Sequence, residues 1–305
     1  MSYLANLTLR LTAGMAGLPA EVRARHAAFL RTQQHDDGGF TGREGSGDLY
    51  YTSFALRALS MLDSLDESTA VRVARFLEDR VDRQLPSIDF ISLVTCAMLV
   101  EMAADIDVFD RSGRDLETMA ADFFEPLRRD DGGHAKTPRG GQSSTYHTFL
   151  VAGCREMVGL TQDRAEPMAA LVRSRQREDG GFVEIGPMRH GGTNPTAAAV
   201  GLLRMLDALD EPTGAAAVRF LSAMQTHEGG LRANTKIPVA DLLSTFTGLV
   251  ALADLDALST IDTTRALQFA KSLEQPEGGF RGGTWDDTAD AEYTFYGLGT
   301  LALLN

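Results

Sequence analysis

The feature that most limits what this chain can fold into is a short turn written five times. It reads Gln34-His35-Asp36-Asp37-Gly38-Gly39-Phe40, then Asp130-Asp131-Gly132-Gly133-His134, Gln176-Arg177-Glu178-Asp179-Gly180-Gly181-Phe182, Gln225-Thr226-His227-Glu228-Gly229-Gly230-Leu231 and Gln275-Pro276-Glu277-Gly278-Gly279-Phe280. The first glycines at 132, 180, 229 and 278 lie 48, 49 and 49 residues apart, and the step from 38 to 132 is 94, close to two periods. A fixed spacing of that length marks one supersecondary unit copied in tandem. Met61-Leu62-Asp63-Ser64-Leu65-Asp66-Glu67 and Met205-Leu206-Asp207-Ala208-Leu209-Asp210-Glu211 are 144 residues apart, three periods of 48, which fixes the register. The second copy is degenerate, with Leu85-Pro86-Ser87-Ile88-Asp89-Phe90 in place of the turn.

Each unit reads as two helices joined through the turn. Ahead of the turn runs an amphipathic stretch whose charges recur at helical spacing, as in Thr264 to Leu273, the pattern of a helix with one wet face. Such outer helices are expected near residues 20–33, 68–81, 114–128, 164–176, 213–225 and 262–274. After the turn comes a polar loop and then a helix almost free of charge: Thr52 to Leu62, Ile91 to Met102, Thr148 to Val158, Ala197 to Leu206, Thr245 to Leu252 and Thr294 to Leu304. A helix apolar nearly all round is buried on all sides. Six inner helices ringed by six outer ones predict an all-α, (α/α)6 barrel that takes up residues 1–305 as a single domain.

Hydrophobic residues make up 44% and charged residues 23% of the chain, ordinary values for a globular protein. No stretch reaches the roughly 18 to 20 uninterrupted apolar residues of a membrane span, and the N-terminus has no basic-then-apolar signal pattern, so a cytoplasmic location is expected. Cys96 and Cys154 fall within apolar helices, where a buried thiol is the expected state. A formal net charge of −13 argues against nucleic acid or an anionic membrane surface as partner. An anionic ligand would need a local cluster of positive groups.

The repeated turn, together with the starts Asp48-Leu49-Tyr50-Tyr51-Thr52, Ser144-Thr145-Tyr146-His147-Thr148, Asp241-Leu242-Leu243-Ser244-Thr245 and Asp290-Ala291-Glu292-Tyr293-Thr294, resembles a known family over the whole chain. It is that of the α/α toroids: the β subunits of protein prenyltransferases and the squalene-hopene-type class II terpene cyclases. The resemblance implies an α/α toroid acting on isoprenoids. It says less about the reaction, because one scaffold serves several chemistries.

In the prenyltransferase branch a zinc ion is held by the Asp and Cys of an Asp-x-Cys helix start and by a His of the last inner helix. Asp241 stands at the first ligand, but Leu243 replaces the cysteine and Tyr293 the histidine. A leucine offers zinc no donor, and His26, His35, His134, His147, His190 and His227 show no metal-ligand spacing. Zinc is therefore not expected. The family's diphosphate pocket uses a His-Gly-Gly and a downstream Arg and Lys, which here implies His190, Gly191, Arg232 and Lys236. An Arg fork and a Lys point charge suit phosphate oxygens. Arg232 and Lys236 are one residue further apart than the family spacing, and Ser144 replaces the family's arginine at the third inner-helix start. A solvated pair of basic side chains beside a Gly-Gly loop remains an equal reading of those residues.

The cyclase branch places its general acid on an Asp-x-Asp-Asp-Thr helix start. Asp290-Ala291-Glu292-Tyr293-Thr294 superposes on it with Glu292 at the middle acid and Tyr293 at the last. Protonating an alkene needs a carboxyl kept protonated by burial or by a neighbouring carboxylate. Asp is also a favoured N-cap, and Asp48, Asp241 and Asp290 open three helices in one register, so capping and catalysis are both open to them. Asp286-Asp287-Thr288-Ala289-Asp290 spells the Asp-Asp-x-x-Asp by which ionising terpene synthases hold magnesium, though here it falls in a loop, and in a chain with 42 acidic residues chance is the default.

Aromatics crowd the helix starts: Tyr50, Tyr51, Phe54, Tyr146, Phe149, Phe246, Tyr293, Phe295 and Tyr296, with Trp285 in the loop above. Around one axis they would form an apolar funnel with π faces for a prenyl chain or a carbocation. The expected protein is a toroid that binds an isoprenoid diphosphate without the family's zinc. His190, Gly191, Arg232 and Lys236 would lie at the diphosphate, with Asp290, Glu292, Tyr293 and Asp241 at the reacting end and Tyr50, Tyr51, Tyr146, Phe246, Trp285 and Tyr296 along the chain. Two other readings are a β-like prenyltransferase subunit that needs an α partner, and a non-catalytic isoprenoid-binding or scaffolding toroid.

Overall fold

The computed structural model of the chain describes residues 2–110, 113 and 115–305. After a first helix, α1 (Tyr3–Met15), amphipathic and apolar helices alternate. The amphipathic ones are α2 (Ala20–Thr32), α4 (Glu67–Glu78), α6 (Leu116–Phe124), α8 (Ala165–Ser174), α10 (Glu211–Ser222) and α12 (Thr263–Ser272). The apolar ones are α3 (Leu49–Met61), α5 (Ser87–Ala104), α7 (Thr145–Met157), α9 (Thr193–Met205), α11 (Leu242–Asp254) and α13 (Ala291–Leu304). Each of the twelve expected helices is present, with residue 114 of the third amphipathic stretch outside the described residues. The apolar helices begin three or four residues earlier than their uncharged runs suggest, because the caps lie further upstream.

Proximity along the backbone groups the chain into two compact units, one joining Thr8–Leu116 with Lys271–Asn305 and the other Met1–Leu7 with Glu117–Ala270. The first packs α3 against α5 and α13, so the last repeat sits on the first; the second packs α9 between α7 and α11. Phe182, Val200, Leu203, Leu221 and Leu252 lie in the core of the second unit, each fully buried. Helix α5 is 18 residues long with a mean hydropathy of 1.7, long and apolar enough to cross a membrane, and it packs on α3 and α4. Cys96 and Cys154 are buried free thiols, and burial pushes both upward in pKa, Cys154 to about 12.

The repeated turn explains itself residue by residue. Its first glycine lies at φ between 88° and 101° in all five copies, a left-handed conformation that costs a residue with a Cβ about 1 kcal/mol or more. Nor is there room for that Cβ. On Gly180 it would stand 2.4 Å from the carbonyl oxygen of Ala216, on the following amphipathic helix. The second glycine faces a large ring on the same neighbour: a Cβ on Gly39, Gly181, Gly230 or Gly279 would meet Phe76, Phe220, Phe269 or Phe29 at 2.4 to 2.7 Å. The glutamine ties the two together, since Nε2 of Gln176 donates to the carbonyls of Gly180 and Thr213, as Gln34 and Gln225 do in their copies. In three copies the acid before the glycines, Asp37, Asp131 or Asp179, accepts the second glycine's N–H and also reaches the returning loop, as Asp179 does with Gly181 and Gly191, both at 3.0 Å.

A threonine joins the turn to the apolar helix. The hydroxyls of Thr52, Thr148, Thr196, Thr245 and Thr294 each accept the N–H of the residue after the glycines at 2.8 to 3.1 Å. Each also donates to the carbonyl four residues back, at the helix cap. In the final repeat the turn lands on α2: His26, fully buried, accepts the Gly279 N–H on Nδ1 at 3.0 Å, lies 3.1 Å from Glu274 through Nε2, and stacks on Phe280.

Helix α1 lies outside the repeat period and was not among the expected helices. Its Tyr3 hydroxyl donates to Asp254 at 2.6 Å and its Tyr3 N–H to Glu156 at 2.9 Å. In the other unit Gly14 lies against the backbone of Ala302, where a Cβ would come within 2.1 Å of the carbonyl oxygen.

Gly180→Ala should destabilise the chain by about 2 kcal/mol or more through strain and clash. Thr196→Val should cost about 1–3 kcal/mol by stranding the buried Phe182 N–H. Gly141→Ala, which meets nothing within 4 Å, should be close to neutral. Urea unfolding of the three variants checks the order, and a Gly180→Ala protein as stable as Gly141→Ala would refute this account of the turn.

Candidate active site

Every apolar helix with a polar cap starts the same way. Asp48, Ser144, Asp241 and Asp290 accept the N–H three residues on, from Tyr51, His147, Ser244 and Tyr293, at 2.7 to 3.1 Å. The three aspartates do cap, and Asp290 does more. It is 1% exposed, and while Oδ1 takes the Tyr293 N–H, Oδ2 accepts Nε of Arg43 at 3.1 Å. The rest of the Arg43 fork lies on Asp286, Nη1 to Oδ1 at 2.9 Å and Nη2 to Oδ2 at 2.5 Å. Asp286 also accepts the N–H groups of Gly282 and Thr288. Burial would raise Asp286, but the Arg43 bonds and these two amides outweigh it and hold its carboxyl below the usual range.

Arg43 was not among the residues singled out in the sequence; only the pairing of the first and last loops gives it a meaning. Its place also settles the geometry of the Asp-Asp-x-x-Asp run. Asp286 and Asp290 close on the guanidinium, whereas the Asp287 side chain is fully exposed, 3.8 Å from Arg281. The three acids do not converge on a common point. Among the described residues no group of three or more His, Cys, Asp and Glu side chains is placed to hold a metal ion.

Two residues into α13, Glu292 turns toward α3. Its Oε1 accepts the Tyr50 hydroxyl at 2.6 Å and the Tyr296 hydroxyl at 3.3 Å, and among the described residues Oε2 makes no hydrogen bond. Burial raises the pKa of Glu292, the Tyr50 hydrogen bond lowers it, and the nearby charge of Asp290 raises it again, for a net rise. Asp290 is raised as well, by burial, against the pull of the Tyr293 amide and Arg43. Around the acid stand rings in edge contact: Tyr50 with Phe54 at 4.9 Å between centroids, Phe54 with Tyr296 at 5.3 Å, Tyr50 with Tyr51 at 5.5 Å and Tyr293 with Tyr296 at 6.2 Å. Arg57, also missed, places its guanidinium carbon 4.0 Å from the Phe295 centroid. Trp285 is 59% exposed and stands outside this ring cluster. A surface hollow of about 160 Å³ lined by Ser60, Asp63, Leu65, Leu99 and Met102 lies at the opposite ends of α3 and α5 and shares no residue with the cluster.

The expected diphosphate residues belong to the other unit, and the structure does not join them in one hydrogen-bonded group. Arg232 spends its guanidinium on the Ala223 carbonyl at 3.3 Å, while its own carbonyl accepts the Thr193 hydroxyl. His190 and Lys236 are exposed, and among the described residues their side chains make no hydrogen bond or ion pair. Gly191 has a packing reason of its own, since a Cβ there would stand 2.6 Å from Gly181. Asp241 gives both oxygens to Ser244, at 2.7 Å each, and burial raises its pKa against those bonds. Tyr146 is 37% exposed and Phe246 is buried, both in this second unit.

The prenyltransferase α/α-toroid domain pattern matches residues 3–88, 89–232 and 142–305, nearly the whole length. The chain belongs to that family. The toroid is similar to Candida albicans protein geranylgeranyltransferase-I complexed with GGPP, at 13% identity and a TM-score of 0.72 over 92% of this chain and 91% of that one. It is also similar to a point variant of the type II terpene cyclase MstE from Scytonema in complex with merosterolic acid A, at 15% identity and a TM-score of 0.61 over 99% and 98%. A protein from Actinoplanes shares 17% identity at a TM-score of 0.61 over 93% and 98%. Identities this low speak for the fold alone. No curated protein matches the toroid.

Because the folded toroid binds protons at Glu292 and Asp290 more tightly than the unfolded chain does, these groups support folding fully below their unfolded pKa values near pH 4. They withdraw that support as pH rises through their elevated folded values. Glu292→Gln should therefore gain stability relative to wild type between pH 4 and pH 8, followed by thermal unfolding. A difference that stays flat with pH would contradict the raised acid.

Proposed function

We propose that the chain is an isoprenoid-binding enzyme, one toroid domain over residues 1–305, whose terpene-cyclase-like reaction starts by proton transfer from Glu292. The observation that carries this reading is the Glu292 carboxyl itself: raised by burial, anchored through Oε1 by two phenols, and open at Oε2. In the step proposed, the Oε2–H bond breaks and its proton adds to the less substituted carbon of an alkene. The π electrons form the new C–H bond, leaving a tertiary cation that an internal double bond attacks; a base or water then takes up the final proton or cation. The faces of Tyr50, Phe54 and Tyr296 suit such a cation. Burial raises the acid and so favours the protonated form that a general acid needs.

Solved relatives favour a C20 chain as the first substrate to try, since one holds GGPP and another a geranylgeranyl dihydroxybenzoate. His190, Gly191, Arg232 and Lys236 are retained as the proposed diphosphate contacts, and Asp241 and Tyr293 as groups near the reacting end. The likeness to a protein geranylgeranyltransferase favours a second reading, a prenyl-transferring subunit. Against it, Asp241 already has both oxygens bonded and Leu243 offers no metal donor.

Incubation with geranyl, farnesyl and geranylgeranyl diphosphate separates the readings. Protonation-started cyclisation leaves the diphosphate on the product, whereas prenyl transfer releases pyrophosphate. The expected result is a cyclic diphosphate, lost by at least about 10²-fold in Glu292→Gln, and weaker binding in the pair His190→Ala and Lys236→Ala. No product and no thermal shift with any chain length would end the catalytic reading.

A further inference from the structure

Proton donation by Glu292 gives Arg43 no part, yet Arg43 is among the most committed side chains of its unit. It rises from the loop after the first turn, and Nη1, Nη2 and Nε all bond to acids of the loop before α13. A guanidinium keeps its charge at any pH of interest, and its fork matches a carboxylate edge. Asp290 is thereby surrounded: a backbone N–H on one oxygen, a cation on the other, and almost no solvent. These bonds oppose the protonation that burial favours. Glu292, two residues away, has an open edge at Oε2, and a neighbouring negative charge discourages it from ionising.

We propose that Arg43 is a positioning residue that keeps Asp290 a carboxylate and so leaves Glu292 as the acid that holds the proton. This deepens the cyclase reading and rests on it only for what the proton is used for. The groups facing the pair are Tyr50 and Tyr51 from α3, Arg43 from the first loop, Asp286 from the last, and Tyr293 and Tyr296 from α13.

The test is a pH titration of the full chain labelled with ¹³C at the Asp and Glu carboxyls, with Glu292→Gln and Asp290→Asn assigning the two signals. In wild type Glu292 should titrate above Asp290. In Arg43→Gln, Asp290 should move up by at least about one unit, a tenfold change in proton affinity, and overtake Glu292. Arg43→Lys, which keeps the charge without the fork, should give a smaller rise and retain the wild-type order; circular dichroism establishes that each variant is folded. Should Arg43→Gln fail to fold, Arg43→Lys alone decides through the rise in Asp290. Asp290 titrating above Glu292 in wild type, or no movement of Asp290 in either variant, would overturn the proposal. These readings need no substrate. An intact order with no turnover would sink the cyclase reading and leave the role of Arg43 standing.

Discussion

One threonine hydroxyl in each of the five repeats that carry the Gly-Gly turn holds the architecture together. It closes the buried N–H of the turn and the carbonyl at the helix cap at once, and both groups would otherwise be stranded away from water. That double bond fixes the distance between the Gly-Gly turn and the apolar helix, so the glycines must nest against the next amphipathic helix and the helix must start where its cap sits. The acid and the glutamine complete the same joint from the other two sides. A turn so thoroughly satisfied can be copied with different surfaces above it, and those surfaces are where the copies diverge.

The loops above the turn show that divergence in their charges. In the first and last repeats they meet through an exposed Arg43 and two buried aspartates, a pairing that holds its geometry because the guanidinium nitrogens and the carboxylate oxygens all have partners. In the fourth and fifth repeats the loops carry exposed His190 and Lys236 instead. Within α13 itself, capping and chemistry do not compete: Asp290 does the first with one oxygen, while Glu292, projecting from the first turn of the helix, is free of that duty.

The helical order and the repeat register were legible because periodicity and glycine spacing report directly on backbone geometry. Starts of the apolar helices were misread by three or four residues, since the uncharged run begins after the cap and not at it. Helix α1 escaped because it belongs to no period. Glu292 and Tyr50 could each be picked out, but their bond could not, as they are 242 residues apart. Arg43 carried no signal at all: a lone arginine in a Gly-rich loop looks solvated until its partners, more than 240 residues downstream, are known. Gly191, read from the sequence as part of an anion pocket, also has a packing reason in its close approach to Gly181. The four aspartates at positive φ, Asp63, Asp105, Asp207 and Asp256, each close an apolar helix, and two of them stood in the 144-residue echo without showing why they recur.

The landing of the final turn on α2, through His26 and Phe280, has a bearing on synthesis. A nascent chain can complete the middle repeats one after another as they emerge, each leaning on the one that follows. The opening helices have to wait for residues 271–305, and this long-range closure is the slow kind of contact in folding. Until residues 275–280 are made and docked, Phe29 and His26 remain uncovered, so a chain cut short of them would expose its beginning rather than merely lose a later segment.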